Sequence, residues 1–159
     1  MKSITGRRTI YGAAVIITAV RREKMKNRKL KPVRCPYCKS IAVIQPGSTV
    51  HGGNSWGRRL YVCARFPACD SYVGVDERTM LPLGTLANGD LRHKRIEAHR
   101  VFDLLWKRDV MTRSNAYRWM SDKFGLRSEH AHIGNFSEYM CEQLITECRK
   151  TLENNRIAC

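Results

Sequence analysis

Four cysteines constrain this chain more than any other feature. Cys35 and Cys38 stand in "CPYC" with two residues between them, Cys63 and Cys69 bound "CARFPAC" with five, and twenty-four residues separate the pairs. Structural zinc takes four thiolates in a tetrahedron, usually offered as two tight turns. Pro36 and Pro67 restrict φ inside those turns. A hairpin between the pairs would bring the turns face to face. "SIAVIQ" (40–45) and "RRLYVCA" (58–64) are short apolar, β-branched runs, and "PGSTVHGGNSWG" (46–57) between them is dense in turn formers. "SYVGV" (71–75) offers a third strand. C-x-x-C also occurs in thiol oxidoreductases, but there it opens a helix in an α/β fold. Here it precedes a strand and has a second pair to complete. The pattern predicts one structural Zn2+ on Cys35, Cys38, Cys63 and Cys69, with no open position for a catalytic water.

After a connector, "LPLGTLANG" (81–89), the apolar period becomes helical. Asn88 or Asp90 can cap a helix running to about Lys107, with Leu91, Ile96, Ala98, Val101, Phe102, Leu105 and Trp106 mainly on one side. Thr112 or Ser114 can cap a second helix, "RSNAYRWMSDKF", which Gly125 would end. A third helix is expected over "NFSEYMCEQLITECRKTLE", Asn135 to Glu153, where Asn135 with Glu138 resembles a capping box. The fold class is therefore α+β. A basic N-terminal arm covers residues 1–31, a four-cysteine zinc ribbon 32–80 and a three-helix module 81–159.

The charge is lopsided. The chain is formally +15; residues 1–31 carry ten Lys/Arg against Glu23, and residues 32–159 carry nineteen against thirteen acids. Four thiolates and one divalent ion sum to −2, leaving about +13 for the metal-loaded protein. Such a field favours polyanions, nucleic acid above all. The apolar run "IYGAAVIITAV" (10–20) is too short to span a bilayer, which needs about 20 residues. No small-residue cleavage site follows it. Seven cysteines is an odd count, unlike an extracellular disulfide framework. The expectation is a cytoplasmic protein with no membrane partner. Met25 opens "MKNRKLKPVRCPYC", so residues 1–24 can also be read as an upstream extension of the reading frame.

The ordered cysteine motifs resemble known families. "CPYC…LYVCARFPACDSYVG" is similar to the zinc ribbons at the C-terminal end of bacterial type IA DNA topoisomerases. Cys35, Pro36, Cys38, Cys63, Phe66, Pro67 and Cys69 match residue for residue, across a longer inter-pair loop than is usual there. A wider resemblance runs from Arg34 to Cys148. The series "CPYC", "CARFPACDSYVG", "PLGTLAN", "EAHRVFDLLWK", "MTRSNAYRWM" and "HIGNF" resembles a zinc-finger-containing family of unknown function found in bacteria, their phages and integrated elements. The first resemblance implies contact with single-stranded DNA through exposed aromatic and basic side chains; the second implies no activity.

Candidate nucleic-acid contacts are Lys39, Trp56, Arg58, Arg59, Arg65 and Phe66. Bases stack on aromatic faces and cations follow phosphates. Tyr61 and Tyr72 are better read as filling the ribbon core. Phe102, Leu105, Trp106, Tyr117 and Trp119 read as helical core. Arg113, Asn115 and Arg118 could mark a recognition helix, but the gap from Gly125 to Phe136 is too long for a helix-turn-helix. His130 and His132, with Cys141, raise a second metal site; their spacing lacks paired ligand turns, so packing or capping is the simpler reading. Cys159 is a tail thiol. No Ser/His/Asp arrangement, phosphate-cradling glycine loop or carboxylate pair stands out, so no enzyme is expected. The leading function is binding of single-stranded or distorted DNA. The rival is a phage or mobile-element protein that binds and inhibits a host nucleic-acid enzyme, such as an RNA-guided defence nuclease.

Overall fold

The computed structural model describes residues 32–155, apart from residue 56 and the side chain of Asn54. The basic arm, Trp56 and Cys159 lie outside the described residues. Three antiparallel strands form a sheet in the order β1-β2-β3: β1 Ala42–Pro46, β2 Arg59–Cys63 and β3 Tyr72–Gly74. Ala42 faces Cys63 and Pro46 faces Arg59, so the hairpin has a cysteine end and a loop end. The loop is not plain coil. A short helix α1, Ser48–His51, and a 3-10 turn, Gly52–Asn54, occupy it. Gly47 closes it, donating to Arg58 O at 2.6 Å. A Cβ at Gly47 would stand 2.9 Å from that same oxygen.

The connector does more than connect. Leu83 N donates to Gly74 O, while Tyr72 and Ala87 exchange both backbone bonds, so residues 81–87 cover the outer edge of β3. Covering an edge removes a row of unpaired backbone groups.

Three helices follow: α2 Gly89–Lys107, α3 Arg113–Phe124 and α4 Glu138–Asn154. Asn88 caps α2 and Thr112 caps α3, each accepting from a backbone N–H three residues on. Gly125 ends α3 in the left-handed conformation, as expected of a glycine there. The third helix differs from its sequence reading. Ser137 is its cap, and Asn135 ends a 3-10 turn, Ile133–Asn135. Phe136 explains the shift: it is extended and fully buried, so the chain must plug the core before the helix begins.

The described residues form two cores. Ala98, Phe102, Leu105, Met120, Ile133, Phe136, Leu144, Cys148 and Leu152 fill the helical one, with Trp106, Tyr117 and Trp119 packed at its margin. The ribbon core holds Cys35, Ala42, Tyr61, Cys63, Val75 and Leu86. Among the described residues no helix is long and apolar enough to cross a membrane.

Candidate metal centre and its surround

The two cysteine turns meet at the open end of the hairpin, opposite its loop. In the first, Lys39 N donates to Cys35 O, and Lys39 takes φ 62° to turn the chain back. In the second, Phe66 N donates to Cys63 O and Cys69 N to Arg65 O; the Phe66–Pro67 peptide is cis. The turns interleave. Cys35 Sγ lies 3.7 Å from Cys69 Sγ, and Cys38 Sγ lies 3.3 Å from Cys63 Sγ. All four Sγ atoms fall within 4.8 Å of one another. A four-thiolate zinc with bonds of about 2.3 Å needs S···S edges of about 3.8 Å. The observed separations bracket that value, so small side-chain rotations would close the tetrahedron.

The surroundings of the sulfurs also suit a metal. Ser40 holds Cys38 down to about 6, through its hydroxyl first and then its backbone N–H. Burial raises the Cys35 thiol, but the backbone N–H groups of Cys38 and Tyr37 outweigh it and the net direction is down. Burial pushes Cys63 up to about 12 against the Arg65 N–H. Backbone N–H groups from both turns thus aim at sulfur, the outer support that fixes metal-bound ligands. Among the described residues these four thiols are the one group of three or more metal-capable side chains brought together. His130 and His132 are exposed while Cys141 is buried in the helical core, so they do not converge.

Both turns are fastened to the start of α2. Tyr37, inside the first, donates its hydroxyl to Asn88 Oδ1 at 3.1 Å and accepts from Asn88 N at 3.3 Å. Asp70, beside Cys69, accepts from Gly89 N at 2.9 Å and Arg92 Nη2 at 3.0 Å. Deeper in, Arg95 is buried on the inner face of α2. It donates to Phe136 O, Thr85 O and Thr85 Oγ1, tying the connector and the "HIGNF" loop to the helix. Those loops touch through backbone: a Cβ at Gly84 would lie 2.2 Å from Gly134 O. Sequence reading missed Arg95. Its signal is there, since Arg95 stands on the Leu91, Ala98, Phe102, Leu105 stripe. Ile96, assigned to that stripe, is instead 49% exposed, because Arg95 takes the inward position.

The candidate nucleic-acid contacts fall at two ends of the ribbon. Lys39, Arg65 and Phe66 lie at the cysteine end, the first two exposed and Phe66 half-buried. Arg58 and Arg59 lie at the loop end, about 13 Å away at 3.3 Å per residue along β2. Arg59 is paired with Glu77, whose carboxyl it holds below its usual range. Lys39, Arg58 and Arg65 have no acidic partner among the described residues, nor has Arg34 beside Cys35. Tyr61 is core, donating to Met80 O at 2.9 Å. Tyr72 is half-buried under Arg92, whose guanidinium lies 3.8 Å over its ring.

Residues 31–151 match DUF3268, a family described as a zinc-finger-containing domain. No curated protein and no solved structure matches the chain.

Proposed function

The chain belongs to this zinc-finger-containing family, and from that premise we propose that it is a non-enzymatic nucleic-acid-binding protein built around one structural Zn2+. Cys35, Cys38, Cys63 and Cys69 hold the ion, which cross-links the two turns. Four thiolates fill its coordination sphere and leave no position for a reacting water. Single-stranded or distorted DNA is the ligand. The observation that carries this reading is the set of cations without acidic partners beside the metal turns: Arg34, Lys39 and Arg65. Arg58 repeats it at the loop end. Phosphates follow these cations, and Phe66 offers a ring to a base.

Salt dependence tests it. Each phosphate contact to a single strand contributes a slope of about −0.7 on a log–log plot of affinity against salt. Lys39→Ala with Arg65→Ala removes two contacts, so the slope becomes shallower by about 1.4. Phe66→Leu lowers affinity with the slope held. A parent protein that binds no nucleic acid at physiological salt, where non-specific Kd values run about 10⁻⁴–10⁻⁶ M, overturns the reading.

One observation favours the rival, recognition of a host nucleic-acid enzyme. The edge strand β1 and its approach leave Ile41 47% and Val43 40% exposed on one face, an apolar strip suited to a protein contact. Capture of a host nuclease from lysate that survives digestion of nucleic acid, and is lost in Val43→Lys, supports that rival.

A further inference from the structure

A groove lies where β3 meets α2. Tyr72, Ala87, Arg92, Arg95 and Ile96 are among the residues that line it, and its volume is about 320 Å³. That is the lower end of the range for ligand sites. Three features set it apart from a packing gap. The first is that Ile96 is half exposed beside it, an apolar side chain left open at an otherwise closed junction.

The second is Arg92. Asp70 O, Asp70 Oδ2 and Ala87 O hold the edge of its guanidinium, and Tyr72 covers one face at 3.8 Å. The side chain keeps 24% exposure, and with edge and one face engaged its open side is the other face. A planar cation fixed in this way is a stacking platform; guanidinium planes stack on nucleobases as aromatic rings do.

The third is Arg95. It is 8% exposed and lines the groove, yet its bonds go only to neutral oxygens, of Thr85 and Phe136. Four bonds use four of five N–H groups, leaving one on Nη1. Among the described residues no carboxylate neutralises this charge. The groove therefore combines small apolar lining, a guanidinium face and an unbalanced positive charge with a spare donor.

We infer that this groove is a subsite for one unpaired nucleotide of a bound single strand. The base lies between the open face of Arg92 and the Ile96 side chain. Its phosphate meets the spare Arg95 N–H. The inference rests on the nucleic-acid reading above and extends it: Asp70, which anchors Arg92, directly follows Cys69, so the subsite begins where the second metal turn ends. An acidic peptide fits less well. Strand addition needs a free sheet edge, and the outer edge of β3 is already paired with residues 81–87.

A short single strand carrying one 2-aminopurine tests this on the full, zinc-loaded chain. Stacking in the groove quenches the probe. Ile96→Glu, at an exposed position, abolishes that quench and lowers affinity at least about fivefold, the low end for one stacked base. Ile96→Val keeps both. An excess of nucleoside monophosphate restores the probe's fluorescence. If Ile96→Glu binds and quenches as the parent does, the subsite is wrong while the nucleic-acid reading stands. If the parent binds no strand, both fall. If an acidic, leucine-bearing peptide displaces the probe and the monophosphate does not, the groove belongs to a peptide.

Discussion

The ribbon and the helices bury their apolar side chains on different scales. The helical core holds thirteen buried residues, with Phe102, Phe136, Met120 and Leu144 fully enclosed. The ribbon core holds six, and two of those are Cys35 and Cys63. A core that small, with a third of it thiol, gains little from burial. Metal coordination supplies folding free energy in such modules. On the proposed zinc reading, the ribbon should depend on its ion for order and the helices should not. The fastenings at Asn88, Asp70 and Arg92 are where one dependence meets the other.

The comparison breaks first at the metal. Cys38→Ser, or a chelator, should cost the ribbon most of its order, since structural zinc contributes about 10–16 kcal/mol in small peptides. Hydrogen exchange should then show protection lost across β1, β2 and β3 and retained in α4. Loss of α4 protection at the same chelator concentration would show one cooperative unit instead of two.

Phe102→Ala inverts the test. It empties a fully buried site in the helical core and should cost about 3–5 kcal/mol in denaturant unfolding. Zinc content of the folded protein should stay unchanged.

Tyr37→Phe probes the fastening. It removes a hydroxyl that both donates to and accepts from Asn88, at an expected cost of about 0.5–1.5 kcal/mol. The sharper readout is exchange at Leu91 and Arg92, where the first turn of α2 should fray without metal loss.

The smallest effect is expected at the core thiols. Burial pushes Cys141 up to about 11 and Cys148 up to about 12, so both stay protonated at neutral pH. Raised values mean less thiolate, and thiolate is what reacts. A thiol reagent should leave Cys141 and Cys148 untouched in the folded protein, with and without zinc. The four ribbon cysteines should react once the ion is removed.

Local chemistry was the legible part of the sequence. Asn88, Thr112 and Gly125 act within one helical turn, so α2 and α3 could be bounded from neighbouring residues. The cysteine pairs were legible for the same reason: each turn is a short-range device, and only their meeting is long-range. What escaped depends on distant partners. The start of α4 moved because Phe136 is needed in a core assembled from elsewhere. The connector read as a loop, yet its backbone bonds go to β3. The Gly-rich loop hid α1, a single turn too short to leave a period. Arg58 and Arg59 were named alongside Lys39, Arg65 and Phe66 as contacts, and only the strand register shows that they lie at the other end of the hairpin. Arg95 was the hardest, since a buried cation on an apolar stripe looks like a surface residue until both of its acceptors are known.

Arg95 also sets an order of assembly. Its acceptors lie ten residues upstream, at Thr85, and forty-one downstream, at Phe136. The nearer loop closes at small entropic cost and the farther one at greater cost. A guanidinium cannot leave water before its carbonyls arrive, because an unpaired buried charge is too expensive. Docking of the "HIGNF" segment is therefore expected to come late on the folding path. Interactions that form after the rate-limiting barrier govern how fast a protein comes apart rather than how fast it forms. On that expectation this one side chain is a latch on the lifetime of the native state: Arg95→Ala should raise the unfolding arm of a chevron plot far more than it lowers the folding arm.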